Sequence, residues 1–197
     1  MAEILMAAAN VALVVAFVIY NKSIFQNKSQ PNVVSWLLWA LLTAVNAITY
    51  IIMSGDWIKS ALAIASFLAC AATFFISLWN GKFSKLNLLD VVALVIGLLS
   101  ITVWLAFDSA TYAHLVLQIG MIVPFIPTYS DLWNKKTAEN PVPWFVWSAT
   151  YLIGALVVVL RWQGQYEDLV FPLRTFVLHF GLGFMALRNI VFFKNSS

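Results

Sequence analysis

Apolar residues in this chain come in long unbroken runs rather than in alternation. Val91-Val92-Ala93-Leu94-Val95-Ile96 is one such run. A β-barrel strand would alternate over about ten residues, so the pattern predicts helix. A helix needs about 20 mostly apolar residues to cross the roughly 30 Å hydrocarbon core of a bilayer. Seven stretches meet that length, at about 4–20, 33–53, 58–79, 87–106, 112–130, 142–160 and 169–193. Polar, charged or turn residues fill the short connections, as in Ser54-Gly55-Asp56 and Asn80 to Lys85. In lipid each span must satisfy its own backbone, which long continuous segments do only as helices. The first stretch lacks a basic n-region and carries Glu3 in its place, so it reads as a mature helix rather than a signal peptide.

Composition narrows the class. Of 197 residues, 62% are hydrophobic and 10% charged, against about 25% charged in a soluble domain. Mean hydropathy is +0.90. A water-soluble fold of this size lacks the interior to hide so much apolar surface. A soluble enzyme, a nucleic-acid binder and a disordered chain are thereby excluded. The lone cysteine, Cys70, cannot form an internal disulfide. The net charge of +3 matters through its placement. Lys22, Lys28, Lys82, Lys85, Lys135, Lys136, Arg188 and Lys194 fall on one side of the expected membrane; only Lys59 and Arg161 fall on the other. By the positive-inside rule the N-terminus is outside and the C-terminus cytoplasmic.

The chain also matches itself when shifted by about 108–110 residues. Ser35-Trp36-Leu37-Leu38-Trp39 falls on Pro143-Trp144-Phe145-Val146-Trp147, Gly55 on Gly164, and Asn80 on Asn189. The expected organisation is a three-helix unit over 1–80, a linker helix over 81–111 and a second three-helix unit over 112–197. An even number of spans separates the equivalents, so the units are parallel repeats related by an axis along the membrane normal.

This seven-helix, 3 + 1 + 3 arrangement resembles the SWEET / PQ-loop superfamily of small-solute carriers. Pro127-Thr128-Tyr129 through Lys135-Lys136-Thr137-Ala138-Glu139 looks like the PQ-loop stretch. Glu139-Asn140 followed by Trp144-x-x-Trp147 is also similar to Pnu-type vitamin-precursor transporters. The opening of the second span, Lys28-Ser29-Gln30-Pro31-Asn32-Val33-Val34-Ser35-Trp36-Leu37-Leu38-Trp39, resembles that of small bacterial seven-helix proteins. There are two departures: Thr128 rather than Gln follows Pro127, and the first span holds no proline. The resemblance implies an integral plasma (inner) membrane protein whose solute sits near mid-membrane between the repeats.

Polar and aromatic residues at matched mid-span positions are therefore the candidate solute contacts. Trp36, Trp39, Thr43, Asn46 and Tyr50 share one face of the second span. Their matches in the sixth are Trp144, Trp147, Tyr151, Gly154 and Val158, with Gly154 leaving a gap a ligand or helix can approach. Trp36 and Trp144, the outermost pair, suit an interfacial aromatic belt. Asn46 can equally bond to a neighbouring helix. Ser66, Cys70 and Thr73 lie on the third span, Thr175 and His179 on the seventh; hydroxyls there commonly bond their own i−4 carbonyl. His179 is either a bonded neutral imidazole or a substrate or proton-coupling group. Arg174 either snorkels to water or to Glu167 and Asp168, or lines an outer vestibule and pairs an anionic solute. Pro124 and Pro127 make the fifth span the expected hinge, with Gln118 nearby. Pro172 falls in the first turn of the seventh, where proline is tolerated. Asp108 and His114 alone do not make a metal site.

The expected activity is transport of a small polar or partly aromatic solute: a sugar, a nucleoside-like vitamin precursor or an amine. No cofactor, metal or nucleic acid is expected, and enzymatic chemistry is not. The partners are the lipid bilayer and the solute, with a homo-oligomer left open. The alternative is a receptor, sensor or accessory subunit with a filled centre and a lipid-facing small-residue strip at Ala61, Ala63, Ala65, Ala69, Ala71 and Ala72.

Overall fold

The computed structural model describes residues 1–26, 31–81, 83, 85–134 and 140–194. Lys28-Ser29-Gln30, Lys82 and the Lys135 to Glu139 stretch lie outside the described residues. The described residues form an all-α fold, without strands among them. Its helices are α1 (Ala2–Phe25), α2 (Val33–Ser54), α3 (Trp57–Asn80), α4 (Leu88–Phe107), α5 (Ala110–Gly120), α6 (Phe125–Trp133), α7 (Pro141–Leu160) and α8 (Glu167–Lys194). Six of these are long and apolar enough to cross a membrane: α1, α2, α3, α4, α7 and α8.

Local chemistry sets the boundaries. Asn32 and Asn140 cap α2 and α7 in the same way, each side-chain oxygen accepting the amide two residues on, from Val34 and Val142, at 3.0 Å. The Asp56 carboxylate caps α3 through the Ile58 and Lys59 amides. Asn87 and Asp90 form a capping box on α4. Gly55 and Gly164, the positive-φ glycines at 59° and 88°, turn the chain out of α2 and after α7.

The fifth expected span, 112–130, is not one helix. Pro124 has no N–H to give the Gly120 carbonyl, so the chain tightens into i→i+3 bonds between α5 and α6. Val123 N–H takes the Gly120 carbonyl at 3.2 Å, and Ile126 N–H takes that of Val123 at 3.0 Å. Phe125 N–H bonds Ile122, which releases the Met121 carbonyl. Pro172 also departs from expectation. The helix starts at Glu167, so the proline lies past its first turn and leaves the Asp168 carbonyl without its i+4 donor.

α2 packs along α3, and α7 along α8. α1 packs on α3 and α7; α5 packs on α2 and α8; α6 packs on α8; α4 lies against α5 and α2. The main core joins Leu13 and Phe17 of α1 to Tyr50 of α2, Leu62 of α3, Trp147 and Tyr151 of α7 and Phe171 of α8. Leu42, Ala93, Leu117 and Met121 fill the space between α2, α4 and α5; Phe125, Leu132, Leu182 and Ala186 join α6 to α8. Trp39 packs against all three clusters. The gap at Gly154 is occupied by Leu62, whose Cδ2 would lie 2.8 Å from an added Cβ. Of the α3 alanines, Ala63 is buried in the main core, Ala61, Ala65, Ala69 and Ala71 are half-buried against it, and Ala72 is exposed. The outer faces are apolar as well. On α1, Ile4, Val11, Val14, Val15 and Val18 are exposed opposite the buried Met6, Ala9 and Leu13. A helix apolar on all sides is unsuited to water.

Candidate functional site

A cavity of about 340 Å³ lies among α1, α2, α3, α6, α7 and α8. From α2 it is lined by Trp36, Trp39 and Thr43, and from α7 by Trp144, Trp147 and Tyr151. Ser66 and Cys70 of α3 and Arg174, Thr175 and His179 of α8 complete its deep part, beside Pro124 at the break before α6. It extends to the end of the bundle where α2 and α4 begin, bounded there by Asn32, Asn87 and Asp90.

Aromatic rings form its walls. Trp147 and Trp144 meet at 5.3 Å, and the His179 ring lies 5.7 Å from each and 5.5 Å, stacked, from Tyr151. Trp39 and Phe125 close one flank at 5.1 Å. Trp36 and Trp144 thus line the cavity as well. Phe17 and Tyr20 of α1 pack on Trp36 and Trp147 and also line the cavity. Sequence reasoning missed this contribution, because α1 has no polar stripe to mark a face.

The polar groups divide by partner. Ser66 Oγ donates to the Leu62 carbonyl at 2.7 Å and bonds the Tyr151 hydroxyl at 2.8 Å. Thr73 and Thr175 donate to their own i−4 carbonyls, and Thr43 bonds that of Trp39. His179 Nδ1 lies 2.8 Å from the Thr175 carbonyl; a carbonyl only accepts, so Nδ1 carries the proton. Arg174 does not snorkel to Glu167 or Asp168. It reaches the Met121 carbonyl released by the α5–α6 break, at 3.1 Å, and the Thr175 hydroxyl at 2.9 Å. Trp147 Nε1 and Arg174 Nε are buried without a partner among the described residues.

Three expected solute contacts lie elsewhere. Asn46 and Gln118 bond each other across α2 and α5, Gln118 Nε2 donating to Asn46 Oδ1 at 2.8 Å. His114 joins them, 3.5 Å from Gln118 Nε2 and 3.2 Å from the Thr49 hydroxyl. All four are buried. Tyr50 donates to the Asp168 carbonyl that Pro172 released, at 2.8 Å. Two helix faces therefore meet two neighbours, and the shared α2 stripe splits between the cavity and the α5 contact.

Beyond Phe171, which packs between Tyr151 and Tyr50, the opposite end is closed. Lys59 Nζ pairs with Asp168 Oδ2 at 2.7 Å, with side chains 0% and 1% exposed. Arg161 Nε pairs with Asp56 at 2.7 Å and its NH1 with Glu3 at 3.7 Å. Burial pushes the Asp56 carboxyl up, but bonds from Arg161 and from the Lys59 and Ile58 amides outweigh it and hold the group below the usual carboxylate range. The two basic residues assigned to this side are thus both matched by acids. Among the described residues, no three His, Cys, Asp or Glu side chains are placed to hold a metal.

Comparison of the chain with family models, with curated proteins and with solved structures gave no match.

Proposed function

We propose that the chain is a seven-span carrier of a small polar solute, similar in plan to the SWEET / PQ-loop superfamily. The remaining span, fifth in chain order, is α5 and α6 taken together. From Ala110 to Trp133 they run roughly 35 Å at 1.5 Å per residue, long enough to cross. The two three-helix units, 1–80 and 112–197, exchange α1 with α5–α6, α2 with α7, and α3 with α8. The packing supports that exchange: each contact made by one unit has its counterpart in the other, and α4 is left over as the linker. The positive-inside reading then puts the mouth at Asn32 and Asn87 in the cytoplasm and the Lys59–Asp168 seal outside.

The observation that carries the reading is the convergence of matched stripes. Trp36, Trp39 and Thr43 of α2 and their counterparts Trp144, Trp147 and Tyr151 of α7 line one cavity, with a mouth at one end and a paired-charge seal at the other. A carrier needs a solute site at a repeat interface with one side closed.

The test is a thermal-shift screen of purified protein against sugars, nucleosides, vitamin precursors, amines and amino acids. Uptake of any hit into proteoliposomes follows. A ligand that binds only the folded state raises the melting temperature by mass action. The expected hit loses its shift in Trp147→Ala and is taken up by proteoliposomes. Binding without uptake would favour the second reading, a receptor or accessory subunit on the same scaffold. Its supporting observation is that α1 runs unbroken from Ala2 to Phe25 where its counterpart is broken, so only one unit has a hinge.

A further inference from the structure

We infer that the solute of this cavity is an organic anion, a carboxylate borne on a flat apolar body. The inference rests on the carrier reading and narrows it.

Arg174 is the origin of the argument. Arg174 is among the residues that line the cavity. NH1 donates to the Met121 carbonyl and NH2 to the Thr175 hydroxyl, with the Met121 sulfur 3.9 Å from NH2. These acceptors are all neutral; they engage N–H groups without cancelling the charge. Nε is buried without a partner among the described residues. No described carboxylate lies within ion-pair distance of Arg174. Asp168, an acid close by in sequence, is held by Lys59. Asp90 also lines the cavity, but its carboxylate accepts the Asn87 amide at 2.9 Å, where α4 begins. A guanidinium cannot shed its proton; inside a span such a group pairs with backbone carbonyls or with opposite charges, and Arg174 has a carbonyl but, among the described residues, no counter-charge. The cavity is where one can enter.

A second observation points the same way. Trp147 is 5% exposed, lines the cavity, and leaves its indole N–H without a partner among the described residues. The cavity lining thus carries an unpaired cation and, separately, an unpartnered N–H donor, and an acceptor-rich anion such as a carboxylate suits both.

The rest of the ligand follows from the walls. Trp144, Trp147, Tyr151 and His179 pack ring on ring into one aromatic wall of the cavity, a surface that a planar ring meets in stacked or edge contact. A volume of about 340 Å³ equals roughly ten waters at about 30 Å³ each, so the solute is small. Aromatic faces also attract cations, but an ammonium here would face the Arg174 charge. Charge is therefore the property to vary.

The experiment titrates the full chain, in nanodiscs of zwitterionic lipid so that no anionic headgroup competes, with benzoate, benzamide and benzylamine. These have the same ring and differ in charge. The expected result is benzoate binding at least tenfold tighter than either of the others by isothermal titration. Arg174→Gln should abolish that preference, Arg174→Lys should keep part of it, and Trp147→Phe should weaken benzoate severalfold. The wild-type comparison decides the matter even if a variant fails to fold. Benzamide or benzylamine binding as well as benzoate would overturn the anion while leaving the cavity as a solute site. Binding of none of the three would also overturn it; the carrier reading would then stand or fall on the screen above, which does not depend on charge.

Discussion

The sealed end of the bundle and the cavity deeper in it use the same kinds of residue to opposite effect. At the end holding Gly55 and Gly164, Lys59, Asp168, Arg161 and Asp56 meet partners on facing helices, and the interior is filled. Deeper in the bundle, Arg174, Trp147 and His179 line a cavity, and Arg174 Nε and Trp147 Nε1 are buried without a partner among the described residues. Proline governs both. Pro172 frees the Asp168 carbonyl, which Tyr50 takes, and that bond tightens the seal. The break at Pro124 frees the Met121 carbonyl, which Arg174 takes, and that bond holds a cation at the cavity wall. The same backbone defect serves the seal in one place and the cavity wall in the other, according to which side chain lies opposite.

The largest effect should come from splitting the seal. Asp168→Asn leaves the Lys59 charge buried and is expected to destabilise by about 3–5 kcal/mol, read as a fall in melting temperature. Lys59→Met combined with Asp168→Leu should recover most of the loss. If the double variant is as unstable as the single, the pair is not what holds this end.

A smaller loss should follow at the polar cluster between the two regions. Asn46→Leu takes the acceptor from Gln118 and leaves a buried amide unbonded, for about 1–2 kcal/mol. Solute binding should be unchanged, because Asn46 does not line the cavity. A binding defect with normal stability would move Asn46 back into the solute site.

Acid should act on the sealed end first. The Asp56 carboxyl lies below its ordinary value when folded, so its contribution is complete above about pH 4 and fades as pH falls through the lower folded value. Melting curves in that acid range should fall more steeply for the wild type than for Asp56→Asn. Parallel curves would mean that the Arg161 contact adds nothing.

The smallest stability change belongs to the cavity. Thr43→Val replaces a hydroxyl that bonds carbonyls of its own turn and the Cys70 thiol at the cavity, and should shift stability by about 1 kcal/mol. Its effect should appear in solute affinity instead. A large loss of stability there would show the cavity to be structural.

Much of the helical plan was legible because it depends on composition along the chain. Continuous apolar runs, the Asn32 and Asn140 caps and the turn glycines are local signals, and the helices follow them closely. The break in the fifth span was half legible: Pro124 marked its place, but the turn that re-bonds Gly120 and Val123 was not foreseen. The candidate site was legible as helix faces. Trp39, Thr43, Trp147, Tyr151, Ser66, Cys70, Arg174, Thr175 and His179 share one cavity as expected. Asn46, Tyr50 and Gln118 do not, because spacing along a helix says which residues share a face and not what that face meets.

The sequence alone determined that the chain is helical and apolar enough for a bilayer, where its helices start, and where prolines weaken them. Each of these is set by residues within a turn or two of one another. Only the tertiary structure decided which charges are matched and which are left open. Lys59 and Arg161 look alike in sequence to Arg174, each a basic residue at or near the same edge of the membrane. Lys59 and Arg161 find carboxylates brought to them by helices far away in the chain, and Arg174 finds only neutral oxygens. Pairing depends on distance in space, and the packing of α3 and α7 against α8 fixes that distance.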